Sequence, residues 1–179
     1  MVYVFLADGF EIIEALSPVD MMRRAKIDVC TVGVTGNVVE ASCGVKVTAD
    51  CSLRDVDMNS AEAVVIPGGM PGVNNLEKND DFKKYILKAA DEGKLVCAIC
   101  AGPSLPGKWG LLNGKSATAY PGFEQFLEGA AISDEYVVRD GNYITARGAG
   151  VSVDFGLEIV SALRGTAAAN EVRNSIQCR

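Results

Sequence analysis

Histidine is absent from all 179 residues. That removes imidazole general bases, Ser–His and Cys–His pairs formed within the chain, and His metal ligands, so proton transfer falls to carboxylates and tyrosine. The chain also lacks a basic run. Its 17 Lys and Arg stand against 23 Asp and Glu, for a net charge of −6, a poor match to nucleic acid or to anionic membranes. Long apolar stretches are missing too. The uncharged run Leu95–Gly107 carries two prolines and stops short of the roughly 18 residues of a membrane span. Met1–Asp8 shows no basic n-region and no cleavage site, so no signal peptide is expected. The six cysteines then read as reduced thiols of a cytoplasmic protein rather than as a disulfide framework.

What is present is the material of a folded domain. Hydrophobic residues make up 49% and charged residues 22%. With no repeat, low-complexity tract or linker-like stretch, residues 1–179 are expected to form one domain, of a length that buries roughly 70% of the unfolded chain's surface. Short apolar runs alternate with amphipathic stretches of helical length. Val2–Ala7, Ala63–Ile66 and Leu95–Ile99 are continuous apolar runs, as in strands of a parallel sheet buried on both faces. Ile27–Val34 and Ser116–Ala119 read as further strands, Val38–Glu40 with Val45–Val47 as an edge ribbon, and Tyr136–Arg139 with Tyr143–Ala146 as a hairpin. Helices are expected at Glu11–Ala25, Asp80–Glu92, Gly102–Trp109, Gly122–Leu127, Gly150–Leu163 and Thr166–Ser175. Asp8 and Glu11 have the spacing of a capping box, and Pro18 is expected to kink the first helix. The alternation predicts a doubly wound α/β sheet, in which ligands bind beyond the C-terminal strand ends. Three such ends stand out: Asp8 onward, Pro67-Gly68-Gly69, and Cys100.

Cys100 has the layout of a nucleophile elbow: a buried strand stops, one residue takes the turn, and Ala101, Gly102 and Pro103 lead into a helix. A thiol at a helix N-terminus is expected to favour its thiolate. The Ala101 N–H would face a developing oxyanion, with a second backbone donor from Gly68 or Gly69. A Cys97–Cys100 redox pair is the rival reading, but residues three apart in a strand point to opposite faces, which makes Cys97 core. Glu14 is a carboxyl in the apolar stretch Ile12–Leu16. Buried, its pKa would rise, and it would hydrogen-bond the thiolate and relay a proton; the pattern equally fits a solvated helix carboxylate. Cys30 reads as core and Cys178 as exposed. Cys43 and Cys51 lie near the edge ribbon. Arg23 and Arg24 offset the first helix's dipole or meet a partner, and Arg147 is either structural or an anion ligand.

Segments in register resemble the DJ-1/ThiJ/PfpI superfamily, in its DJ-1 branch: the run from Ala7 through Glu14, Pro18 and Asp20 to Ala25, then Val64–Gly69, Ala98–Pro103, Gly110–Thr118, Tyr120–Gly122 and Ala146–Gly150. The resemblance implies a flavodoxin-like α/β sandwich, with helices on both faces of a mostly parallel sheet, and a homodimer. It implies a reactive Cys100 contacted by a protonated Glu14. It implies glyoxalase III-type or deglycase chemistry on small 2-oxoaldehydes such as methylglyoxal, with Gly68, Gly69, Ala101 and Tyr120 around the substrate and neither cofactor nor metal. The alternative is a redox-responsive chaperone or oxidative-stress sensor without turnover; a peptidase or amidase is disfavoured because the chain supplies no His. Tyr120 stands where animal members carry a His, Pro106-Gly107 interrupts the helix after the elbow, and Ala149 replaces a frequent proline.

Overall fold

The computed structural model describes residues 1–178; Arg179 lies outside the described residues. The chain runs β1 (Val2–Leu6), α1 (Ile12–Arg24), β2 (Val29–Gly33), β3 (Val38–Glu40), β4 (Lys46–Thr48), β5 (Cys51–Ser52), β6 (Ala63–Ile66), α2 (Gly72–Glu77), α3 (Asp80–Asp91), β7 (Leu95–Ile99), α4 (Ser104–Lys108), β8 (Ser116–Ala117), β9 (Ala131–Ile132), β10 (Val137–Asp140), β11 (Tyr143–Ala146), α5 (Ser152–Arg164) and α6 (Thr166–Ser175).

Seven strands form the central sheet in the order β10-β11-β7-β6-β1-β2-β5. All pairings are parallel except the β10–β11 hairpin. Every residue of β1, β6 and β7 is buried, which is why these strands read as unbroken apolar runs. Their side chains alternate between two cores. Val4, Leu6, Val65 and Ile99 pack with Met22, Phe155 and Val160 under α1, α5 and α6. Phe5, Val64, Ile66 and Ala98 pack with Phe82, Ile86 and Leu105 under α3 and α4. The result is the expected sandwich, with helices on both faces.

Several local expectations shift. The N-cap of α1 is Glu11, whose carboxylate accepts from the Glu14 N–H at 2.7 Å. Asp8 instead accepts from the Glu40 N–H at 2.8 Å and so ties the β1–α1 turn to the β3–β4 hairpin. A carboxylate three residues before an orphan helical N–H satisfies it wherever the chain turns, and the turn falls after Phe10. α1 runs through Pro18 to Arg24. α4 is only five residues long, and Glu124–Phe126 is a single 3₁₀ turn rather than a helix over 122–127. β8 leaves the main sheet to pair with β9. α2 is an element the sequence did not signal.

Candidate functional site

The C-terminal ends of β6, β7 and β11, together with the first turn of α1, converge on one point. Cys100 follows β7 with φ +64°, a left-handed conformation that costs a non-glycine residue on the order of 1–3 kcal/mol. Neighbouring backbone holds it there: its N–H donates to the Ala146 carbonyl at 2.8 Å and its carbonyl accepts from the Tyr120 N–H at 2.9 Å. The turn lifts the thiol out of the strand, while Cys97 stays fully buried.

Glu14 meets it from α1. Its side chain is 1% exposed. The carboxyl hydrogen-bonds the Cys100 thiol and accepts from the backbone N–H groups of Gly68 and Ala149, the Gly68 bond spanning 2.9 Å. Burial pushes its pKa up to about 7 and the charge of Glu11 adds to this, while the bonds from Cys100, Gly68 and Ala149 pull the other way. The thiol is pushed up to about 12, first by burial and then by Glu14, against the pull of N–H donors from Ala101 and Gly69. This corrects the expectation of a free-standing thiolate. α4 is one turn long and starts four residues past Cys100, so its dipole is small, and burial dominates. The two groups behave as one unit. A first proton leaves the pair near neutrality, and a second is costly because two negative charges would face each other out of water. Cys97, by contrast, is simply pushed well above its usual range by burial.

Gly68 is small for a reason visible here. A Cβ at this position would lie 2.5 Å from Glu14 Oε2 and 2.7 Å from Cys100 Cβ. Of the residues singled out from the sequence, Glu14, Gly68, Gly69, Cys100 and Ala101 therefore come together. Tyr120 anchors Cys100 through its backbone N–H, and its half-exposed ring flanks Gly148, which the Cys100 sulfur also approaches. Tyr120, Tyr136, Arg147, Gly148 and Val151 line an open groove of about 460 Å³ beside the thiol.

Sequence reasoning gave no role to the 148–149 turn, which carries the Ala149 donor to Glu14. A glycine-rich segment after the buried strand β11 was the available signal. Arg147 donates to the Asp134 carbonyl at 3.2 Å and stacks over Tyr136, so its partners are structural. Arg23 pairs with Asp50 and Arg24 with Asp20. Cys178, expected to be exposed, is half-buried beside Arg173. Cys30 is only half-buried, and its sulfur touches that of Cys51.

A family model described as the DJ-1/PfpI family matches residues 1–162. Protein dj-1beta of Drosophila melanogaster is 35% identical over 97% of this chain and 94% of its own. DJ-1 homolog B of Arabidopsis thaliana is 36% identical over 99% of this chain, which spans only 41% of that longer protein. Among solved structures, oxidized Toxoplasma gondii DJ-1 superposes with a TM-score of 0.94 at 30% identity, covering 99% of this chain and 97% of that one. With matches of that extent in both sequence and structure, the chain belongs to the DJ-1/PfpI family.

Proposed function

We propose that the protein is a cofactor-independent glyoxalase of the III type, acting on methylglyoxal-like 2-oxoaldehydes, with deglycation of the adducts those aldehydes form as a related activity. The observation that supports this is the Glu14 carboxyl hydrogen-bonded to the Cys100 thiol inside a cradle of backbone N–H groups. A pair that releases one proton near neutrality suits acid–base work at ordinary pH.

In this reading Glu14 takes the thiol proton as Cys100 Sγ adds to the aldehyde carbon, giving a hemithioacetal. The same carboxyl moves the proton from that carbon to the neighbouring one while the ketone becomes an alcohol and the hemithioacetal carbon becomes a thioester carbonyl. Water then releases the 2-hydroxy acid and restores the thiol. The N–H groups of Ala101 and Gly69 hold the oxygen that bears negative charge, and Tyr120 lines the groove through which substrate enters.

A homodimer accompanies this proposal. Ile13 on α1 and Val38 and Val45 on the hairpin bridged to Phe10 are exposed apolar side chains that a second copy would cover. A monomer mass by light scattering at micromolar concentration contradicts it.

The deciding experiment is steady-state conversion of methylglyoxal without glutathione, wild type against Cys100→Ser. Turnover lost in the variant supports the enzyme. Turnover in neither assigns the site to the alternative, redox sensing or chaperone work without chemistry, and equal turnover in both removes Cys100 from the reaction.

A further inference from the structure

We propose that Cys30 and Cys51 form a second thiol–disulfide site, separate from Cys100, which closes reversibly under mild oxidation and ties the edge strand β5 to β2. The two sulfurs lie 2.7 Å apart. The strand register places Val32 opposite Cys51, so Cys30 and Cys51 are diagonal neighbours on the same face of parallel strands, packed half-buried against the α3-side core. A disulfide bond of about 2.05 Å requires a shift of only a few tenths of an ångström from each sulfur.

A second feature holds this register. Thr31 and Asp50, the residues next to the two cysteines, are locked to each other. The Asp50 carboxylate accepts from the Thr31 N–H at 2.9 Å and the Thr31 hydroxyl at 2.8 Å, and the Asp50 N–H donates back to the Thr31 oxygen at 2.9 Å. Arg23 caps the same carboxylate at 2.6 Å. The backbones that carry the sulfurs are thus fixed from both sides, and the pair is preorganised rather than met by chance.

The hydrogen bond also sets the order of events. The Cys30 thiol donates to the Cys51 sulfur. Burial, with Cys51 beside it, pushes the Cys30 thiol up to about 12, so Cys30 keeps its proton. Cys51, on the edge strand, is therefore the sulfur that attacks first and Cys30 the resolving thiol. With hydrogen peroxide as oxidant, the Cys51 sulfur takes one oxygen of the O–O bond to become a sulfenic acid, and the other oxygen leaves as hydroxide, which takes the thiol proton to become water. The Cys30 sulfur then attacks Cys51 Sγ, and the sulfenic hydroxyl leaves with the thiol proton as a second water. Two thiols are oxidised by two electrons and one peroxide is reduced. A dithiol reductant reverses the step by exchange.

The ring so closed contains the β3–β4 hairpin. That hairpin holds the turn into α1: the Gly9 N–H donates to the Glu40 carbonyl and the Ser42 N–H to the Phe10 carbonyl, both at 2.8 Å. Oxidation thus acts on a segment that leads to Glu14 without touching Cys100.

The test is a peroxide titration of the Cys100→Ser protein, so that the elbow thiol does not compete, followed by alkylation of remaining thiols and non-reducing tryptic mapping. Cleavage after Lys46 separates the two cysteines, and fragmentation distinguishes a link at Cys30 from one at Cys43. The expected result is an intact mass lower by two hydrogens, a Cys30–Cys51 linked peptide, full recovery of both thiols with dithiothreitol, and no link in Cys51→Ser. Two thiols that remain alkylatable at peroxide levels that oxidise Cys100 in the unmodified protein overturn the proposal. So does a link from Cys51 to Cys43 or between two chains, or a Cys51 that proceeds to sulfinic acid with Cys30 still free.

Discussion

A carboxylate lies at each end of β6, and the two are tuned in opposite directions. Glu62, just before the strand, accepts from Arg164 at 2.8 Å and from the Met1 amino group at 3.0 Å, and these bonds hold it down to about 2. Glu14, facing Gly68 just past the other end, has no cation beside it among the described residues, and burial lifts it to about 7. At one end the charged form is favoured by its neighbours; at the other the fold carries a charge it does not neutralise. Groups with raised pKa values set in this way gather at sites where chemistry is done. Folded Glu14 keeps a proton that the unfolded chain has lost from about pH 4.5 upward, so its ionisation costs stability as pH rises to 7, by about 3 kcal/mol in all, and the cost stays constant above that.

The sharpest way to break the contrast is Glu14→Gln, which retains an acceptor for the Gly68 N–H but holds no titratable proton. Turnover of methylglyoxal should fall by about 10²–10⁴-fold, the usual contribution of a general acid–base group. Urea unfolding at pH 5 and pH 8 should show the wild type losing about 2.5 kcal/mol between them from this group and the variant losing none of it. A variant with the wild-type pH slope would mean that Glu14 is not the buried acid the geometry describes.

Next in size is the effect of closing the Cys30–Cys51 ring. The two residues lie 21 apart in sequence, and a loop of that length restrains the unfolded chain by about 3 kcal/mol. Thermal unfolding of the oxidised Cys100→Ser protein should therefore lie about 6–12 °C above that of its reduced form. An unchanged midpoint would show that the bond strains the native sheet as much as it restrains the unfolded chain. Gly68→Ala follows, at about 1–3 kcal/mol, the cost of overpacking. Its methyl group would have to push aside Glu14 Oε2, Cys100 Cβ and the Ile99 carbonyl, 3.0 Å away. Turnover should fall with stability in this variant, whereas in Glu14→Gln the two part company.

The same two ends of β6 show what a sequence reveals. The strand itself was legible, because burial on both faces leaves four apolar residues in a row, and the elbow at Cys100 was legible because a buried run ended against small residues and a proline. Glu14 stood out as a carboxyl among apolar neighbours. The direction of the Cys100 shift was not legible. It depends on how much protein surrounds the sulfur and on a carboxyl 86 positions earlier in the chain, and neither is a local property. The Cys30–Cys51 contact was hidden for the same reason, since only the β2–β5 register brings the two together. α2 escaped notice because six residues beginning in glycine carry no helical period. The cap of α1 was misplaced because Asp8 and Glu11 both suit the role, and only the path of the turn decides between them.

The smallest effect belongs to the better-paired carboxylate. Glu62→Gln removes both ion pairs at the sheet's N-terminal edge, yet Glu62, Arg164 and the Met1 amino group are each more than a third exposed, and water and salt screen such pairs to roughly 0–1 kcal/mol. Because the folded pKa lies below the ordinary one, that contribution is present above about pH 4.5 and disappears as pH falls toward 2. Denaturant unfolding of wild type and variant at pH 7 should thus differ by less than about 1 kcal/mol, the difference shrinking with added salt and vanishing near pH 2. Combined with Glu14→Gln, the two changes should add, because four strand residues separate the sites by about 13 Å. A loss of several kcal/mol from Glu62→Gln alone, insensitive to salt, would reverse the reading of β6: the N-terminal end would then hold the charge buried at cost.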